Sequence, residues 1–141
     1  MSFDSIYQIA GSAMRAQTVR LDTVASNLAN LDSGADSPES AYQAVRPVFQ
    51  TLYQQLADTG AIGGASVMIA DVVPGQGKPV ARYEPGNPLA DADGNVWYAD
   101  LNPVEEMADM MSASRSFESS VEVLKRVNNM QQGLLSLGDL G

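Results

Sequence analysis

The sequence predicts an α+β protein: two long terminal α-helices forming an antiparallel coiled-coil-like pair, with a small β-hairpin-rich segment in the middle. Three observations carry this. Phe3, Tyr7, Ala10, Met14, Gln17, Leu21, Val24, Leu28 and Leu31 recur at alternating steps of four and three, and only Gln17 among them is polar, which is the spacing of a heptad seam. A second seam runs through Met107, Met110, Ser114, Phe117, Val121, Leu124, Val127, Met130, Leu134 and Leu137. Glycines, prolines and other turn formers collect between the two. The chain therefore divides into a helix over 1–31, a linker and small β-rich segment over 32–102, and a helix over 103–141, with the terminal helices together making one helical domain.

The first helix is expected over residues 2–31, where Asn27 and Asn30 give way to the breaker Asp32, Ser33, Gly34, Ala35, Asp36, Ser37, Pro38. Tyr42, Val45, Val48, Phe49, Leu52 and Tyr53 mix β formers with Pro47 and read as an extended segment. Tyr42, Val45, Phe49, Leu52 and Leu56 also fit a period of 3.6, so a helix stays open there, with Pro47 as the objection. After a turn at residues 60–64, strands are expected over 66–73 and 79–83. Two turns follow, Glu84 to Pro88 and Asp91 to Gly94, before the short apolar run Val96, Trp97, Tyr98. These pieces suit a small antiparallel hairpin, which needs a helix or a neighbour to pack against. The second helix should open with Asn102 as N-cap, Pro103 in first position and Glu105 and Glu106 in the first turn, and should stop at Gly138. Asn102 and Glu105 have the spacing of a capping box. Repeated steps of three around Leu124 to Val127 predict local overwinding.

Composition excludes several classes of function. Net charge is -9, with two acids and two bases in residues 1–31, nine and three in 32–102, and six and three in 103–141. An acidic chain without a basic stripe does not suit nucleic acid. No run approaches the ~18 apolar residues of a bilayer span. The N-terminus, whose first positive charge is Arg15, lacks the pattern of a secretory signal. Histidine and cysteine are absent, removing imidazole–nucleophile pairs, thiolates and disulfides. Asp91, Asp93, Gly94 and Asp100 echo part of a calcium loop, but Leu89 stands where the first ligand belongs and a turn is the better reading. Glu84 with Asp91 or Asp93 would be the carboxylate pair of a hydrolase; among seventeen acids such a pair says little. No enzyme, cofactor, metal or small-molecule substrate is expected. Tyr42, Trp97 and Tyr98 serve either recognition or hairpin packing.

The stripes themselves ask for partners. Most helix stability in proteins comes from burying an apolar face, and pairing the two helices hides one face of each. Ile6, Ile9, Ala13 and Ala25 widen the N-terminal stripe beyond its seam, leaving apolar surface that is expected to order fully only when other chains cover it. Met107, Met110 and Met111 add an adaptable cluster on the second helix, its core completed by another chain. A soluble helical adaptor or export chaperone is the alternative use of such helices.

Two stretches resemble a known family. Residues 20–30, RLDTVASNLAN, are similar to the signature near the N-terminus of flagellar rod and hook axial proteins. Residues 83–124, YEPGNPLADADGNVWYADLNPVEEMADMMSASRSFESSVEVL, resemble the short members that build the proximal rod. Asn87 and Asn95 depart from the His and Tyr common at those places, and the tail after Lys125 matches loosely. The resemblance implies a structural subunit of the flagellar basal body. Its terminal helices would form the inner coiled-coil layer of a rod that crosses the periplasm and transmits torque. Implied partners are copies of itself, other rod proteins, the inner-membrane MS ring with its rod-base adaptor, and the type III export apparatus, which would export the chain without a cleaved signal peptide; direct membrane insertion is not implied. The assembly interface would be Phe3, Tyr7, Ala10, Met14, Leu21, Val24, Leu28, Leu31, Met107, Met110, Phe117, Val121, Leu124, Val127, Met130 and Leu134, with Asn27 and Asn30 as the helix-exit motif.

Overall fold

A computed structural model describes residues 3–55 and 62–138. The expected helix start at Ser2, Leu56 of the helical alternative, residues 60 and 61 of the expected turn and residues 139–141 lie outside the described residues; residues 62–64, expected in that turn, are strand instead. Helix α1 spans Phe3–Ala29 and α2 spans Pro103–Gly138, which at 1.5 Å per residue makes them roughly 40 and 54 Å long. Between them come β1 (Val45–Gln55), β2 (Ile62–Pro74), β3 (Val80–Tyr83) and β4 (Asn95–Tyr98). The fold class is the expected α+β.

α1 ends two residues before Leu31. Asn30 closes the last turn with its N–H and its side-chain amide both on Ser26 O, at 3.1 and 2.9 Å, and Leu31 N–H then drops to Leu28 O. Leu31 therefore sits in a turn and not in the helix. Asn102 caps α2 as expected, its Oδ1 accepting from Val104 N–H at 3.0 Å, and α2 reaches Gly138.

The middle segment holds two hairpins where the sequence suggested one. β1 pairs antiparallel with β2 from Val45↔Pro74 to Gln55↔Ile62, with register shifts after Val48 and Gln54. Residues 45–55 are thus strand, and the helical alternative fails because Pro47 is accommodated opposite Val72 in the ladder. β3 and β4 form a separate sheet, Val80↔Tyr98 to Tyr83↔Asn95. Ala35, in the loop after α1, joins the other side of β4 by exchanging two hydrogen bonds of 2.8 and 2.9 Å with Trp97.

Two small cores result. Around β4, Val96 and Tyr98 are buried with Ala41 and Ala99. Gly34 lies so close that an added Cβ would sit 2.7 Å from Val96 Cγ1, so the approach of this loop requires glycine. Along the helices, α1 packs against α2 on one side and the β1–β2 hairpin on another, burying Ala10, Ala16, Val24, Ala113 and Val127. Ser12 Oγ accepts from Val67 N–H at 3.2 Å and pins the hairpin to α1.

Candidate assembly interface

The helix pair is antiparallel: Asn27 bonds Glu106, Arg20 pairs with Asp109, and Tyr7 OH donates to Gln131 Oε1 at 3.1 Å. Of the expected interface residues, Ala10, Val24 and Val127 are buried within the chain. Phe3, Tyr7, Met14, Leu21, Leu28, Leu31, Met110, Phe117, Val121 and Leu124 are half-buried, and Met107, Met130 and Leu134 are exposed. The N-terminal seam thus faces its own chain over most of its length, whereas α2 beyond Gln131 is exposed throughout.

The two helix-exit asparagines differ. Asn30 serves the local turn. Asn27, fully buried, is the centre of a polar node that joins α1, α2 and β1. Its Oδ1 accepts from Val45 N–H at 2.9 Å and from Tyr42 OH at 3.1 Å; its Nδ2 donates to Val45 O and to Glu106 Oε2, each at 3.1 Å. Its full capacity of two donors and two acceptor sites is used. Glu106, 1% exposed, is also paired with Arg46, so its buried charge has the partner it needs. Sequence reasoning missed Arg46 and gave Glu106 a role only in the helix dipole; no local pattern marks a partner 60 residues away.

At the opposite end of the helix pair the chemistry changes. Residues 5–14 and 127–138 contain no charged side chain in a protein of net charge -9. Leu135 and Leu137 are 73% and 69% exposed there, and Met130 and Leu134 both 56%. An apolar hollow of about 380 Å³, lined by Ile6, Ile9, Ala10, Ala13, Ser120 and Val123, lies between the helices, and a second of about 430 Å³ is lined by Phe3, Gln131, Leu134 and Leu135. Together they form a valley without formal charge. A further groove of about 770 Å³ separates α1 from the hairpin, with Gly11, Ser12 and Ala16 against Leu52, Val67 and Met68.

Two of the carboxylates that suggested other chemistry, Asp91 and Glu84, are engaged structurally. Asp91 Oδ1 accepts from Asp93 and Asn95 N–H at 2.9 and 2.8 Å, its Oδ2 from Trp97 Nε1 at 3.3 Å, which is the bonding of an Asx turn. Gly94 takes φ +83° to complete it. Glu84 accepts from Tyr98 OH and Asn87 Nδ2. Tyr98 is buried, Trp97 and Tyr42 half-buried. Among the described residues no group of three acids is placed to hold a metal, and no helix is long and apolar enough to cross a membrane.

Both helices fall within flagellar families. Residues 8–35 match the family described as "Flagella basal body rod protein", and residues 92–137 match "Flagellar basal body rod FlgEFG protein C-terminal". Over 138 residues the chain is 46% identical to the flagellar basal-body rod protein FlgC of Escherichia coli O6:H1, covering 98% of this chain and 99% of that protein. The chain belongs to the FlgC family of flagellar basal-body rod proteins. FlgC of Salmonella typhimurium is 44% identical over the same span, and FlgC of Agrobacterium fabrum 30% over 131 residues. This is a family of structural rod subunits, not enzymes, and membership sets aside the adaptor alternative. The two family matches take in Asn27, Asn30 and Glu106; the β1–β2 hairpin, which supplies Arg46, lies between them.

Proposed function

We propose that the chain builds the proximal rod by side-by-side packing of its helix pairs, with the uncharged stretches of α1 and α2 at residues 5–14 and 127–138 as the main contact between neighbours. The observation that carries this is the exposure of Met130, Leu134, Leu135 and Leu137 on a helix already paired with α1. Each large apolar side chain is worth roughly 1.5–3 kcal/mol when fully buried, so covering this group is a drive of several kcal/mol toward association. Stretches without charge suit such a contact, because no ion has to be taken out of water when copies close over it. The expected interface residues then divide their work: those buried in the chain align the pair, and Met107, Met130 and Leu134, with the half-buried flank of the seam, meet other chains.

In this reading the partners are copies of the chain, other rod proteins and the MS ring with its rod-base adaptor, after export through the type III apparatus without a cleaved signal. The rod crosses the periplasm and carries torque through the packed helices. The Asn27–Glu106–Arg46 node fixes the hairpin to both helices, so the three move as one body. Sedimentation velocity of the purified protein over rising concentration tests the packing. Growing, open-ended oligomers are expected; a single closed dimer would contradict it, because contacts between unlike patches do not close.

A further inference from the structure

The β3–β4 sheet has two free edges of opposite charge. β4 is the middle strand, with β3 on one side and Ala35 on the other. Beyond β3 no strand is paired among the described residues, and all four of its residues are exposed. An uncovered edge of this kind is a template for another strand. Its charged side chains are Arg82, Lys78 two residues before the strand, and Glu84 directly after it, which is half-buried and engaged by Tyr98 OH and Asn87 Nδ2. The opposite edge is the bridge residue Ala35, with Asp32 in the turn before it and Asp36 in the bend after it.

The two charge pairs share one spacing. Lys78 and Arg82 are four residues apart, as are Asp32 and Asp36. Arg82 is the partner of Val96 and Val80 of Tyr98; Gly34 lies against Val96 and Tyr98. Val80, Arg82 and Gly34 therefore sit on the Tyr98 face, where Arg82 stacks over the ring at 4.4 Å. β3 and residues 33–35 each run antiparallel to β4, so they run parallel to one another. A second copy displaced sideways, without reversal, brings its acidic edge to this basic one with Asp32 beside Lys78 and Asp36 beside Arg82.

All four side chains are exposed and none makes an ion pair among the described residues. Asp36 accepts from Ser40 Oγ at 2.7 Å, and Asp100 packs near Gly77 without pairing to Lys78. In a chain with seventeen acids and eight bases, two exposed cations without an ion pair along one strand edge make a place where an acidic edge would be accepted.

We propose that the Lys78–Arg82 edge of one copy docks against the Asp32–Asp36 edge of the next, adding a second lateral contact outside the helix layer. The proposal rests on the reading of the chain as a self-associating rod subunit. The contact joins unlike patches and propagates in one direction, with backbone pairing for adhesion and two charge pairs for register.

The chain has no cysteine, so Ser33→Cys with Ala81→Cys, both exposed, gives a clean cross-linking pair across the two edges. Treating flagellated cells with a short bismaleimide should produce a ladder of dimers, trimers and higher forms in the basal-body fraction. Adding Lys78→Glu and Arg82→Glu should cut the ladder to less than about a tenth, since like charges then face each other. Co-expressing that chain with an Asp32→Lys, Asp36→Lys copy, each carrying the cysteine pair, should restore it, because both edges of the mixture are complementary again. Subunits present in basal bodies that give no ladder, or a ladder indifferent to these reversals, would overturn the edge contact and leave the rod reading standing. Absence of the parent chain from that fraction would overturn the rod reading and this proposal with it.

Discussion

Asn27 shows how one residue ties the chain together. Its side chain takes the place of a strand partner for Val45, engaging both N–H and C=O, while it holds Glu106 and Tyr42. Asn27→Ala would leave the Val45 backbone and one side of Glu106 without partners in a buried site. At about 1–3 kcal/mol for each unsatisfied buried group, a loss of roughly 3 kcal/mol is expected, read as a lower urea midpoint. Asn30→Ala, which removes one bond to Ser26 O, should cost less than about 1 kcal/mol. Equal losses from the two would refute the distinction between a node and a local turn. The sequence marked both asparagines as a helix exit but could not rank them: the difference lies in what three distant segments bring to one and not the other.

At the scale of elements, legibility followed the range of the interactions. α1 and α2 were readable because their seams recur about once every turn, and the α2 cap because Asn102 and Pro103 adjoin. The strands were found close to their observed places by alternation and turn residues. Their pairing was not, since register depends on long-range contacts and bulges that no local pattern records. Leu31 kept the heptad step yet fell outside α1, because the turn at Asn30 ended the helix first.

The β3–β4 hairpin carries a pH signature. The hydrogen bond from Asn95 N–H, opposed in part by burial and helped by those from Asp93 and Trp97, holds the Asp91 carboxyl below its ordinary value of 3.8. Its contribution is present above that value and lost as pH falls through the lowered one. Burial and then the bond to Glu84 push the Tyr98 phenol above 10.0. Here stabilisation is complete below 10.0 and lost as pH rises through the raised value. Carboxyl shifts by NMR at the acid end and tyrosinate absorbance at the alkaline end should show Asp91 ionising below 3.8 and Tyr98 above 10.0. An Asp91 that titrates at or above 3.8 would contradict the turn.

As a whole, the charged side chains of the helix pair gather toward the end where α1 leaves for the hairpins, and toward the other end residues 5–14 and 127–138 carry none, with Asp4 in the first turn of α1 beside them. The composition of these two stretches is plain in the sequence. What it could not give is which apolar residues the chain covers for itself: Val127 is buried, whereas Leu135 and Leu137 are not. That remainder is the surface other subunits complete.

The most direct measurement replaces Leu135 and Leu137 by Asp and follows two quantities, thermal unfolding of the purified chain and the amount of chain recovered in basal bodies. Both side chains are mainly exposed in the single copy, so the melting temperature should move little, while burial of two unpaired charges between subunits should abolish incorporation and motility. Rods that form normally with both aspartates in place would contradict the account.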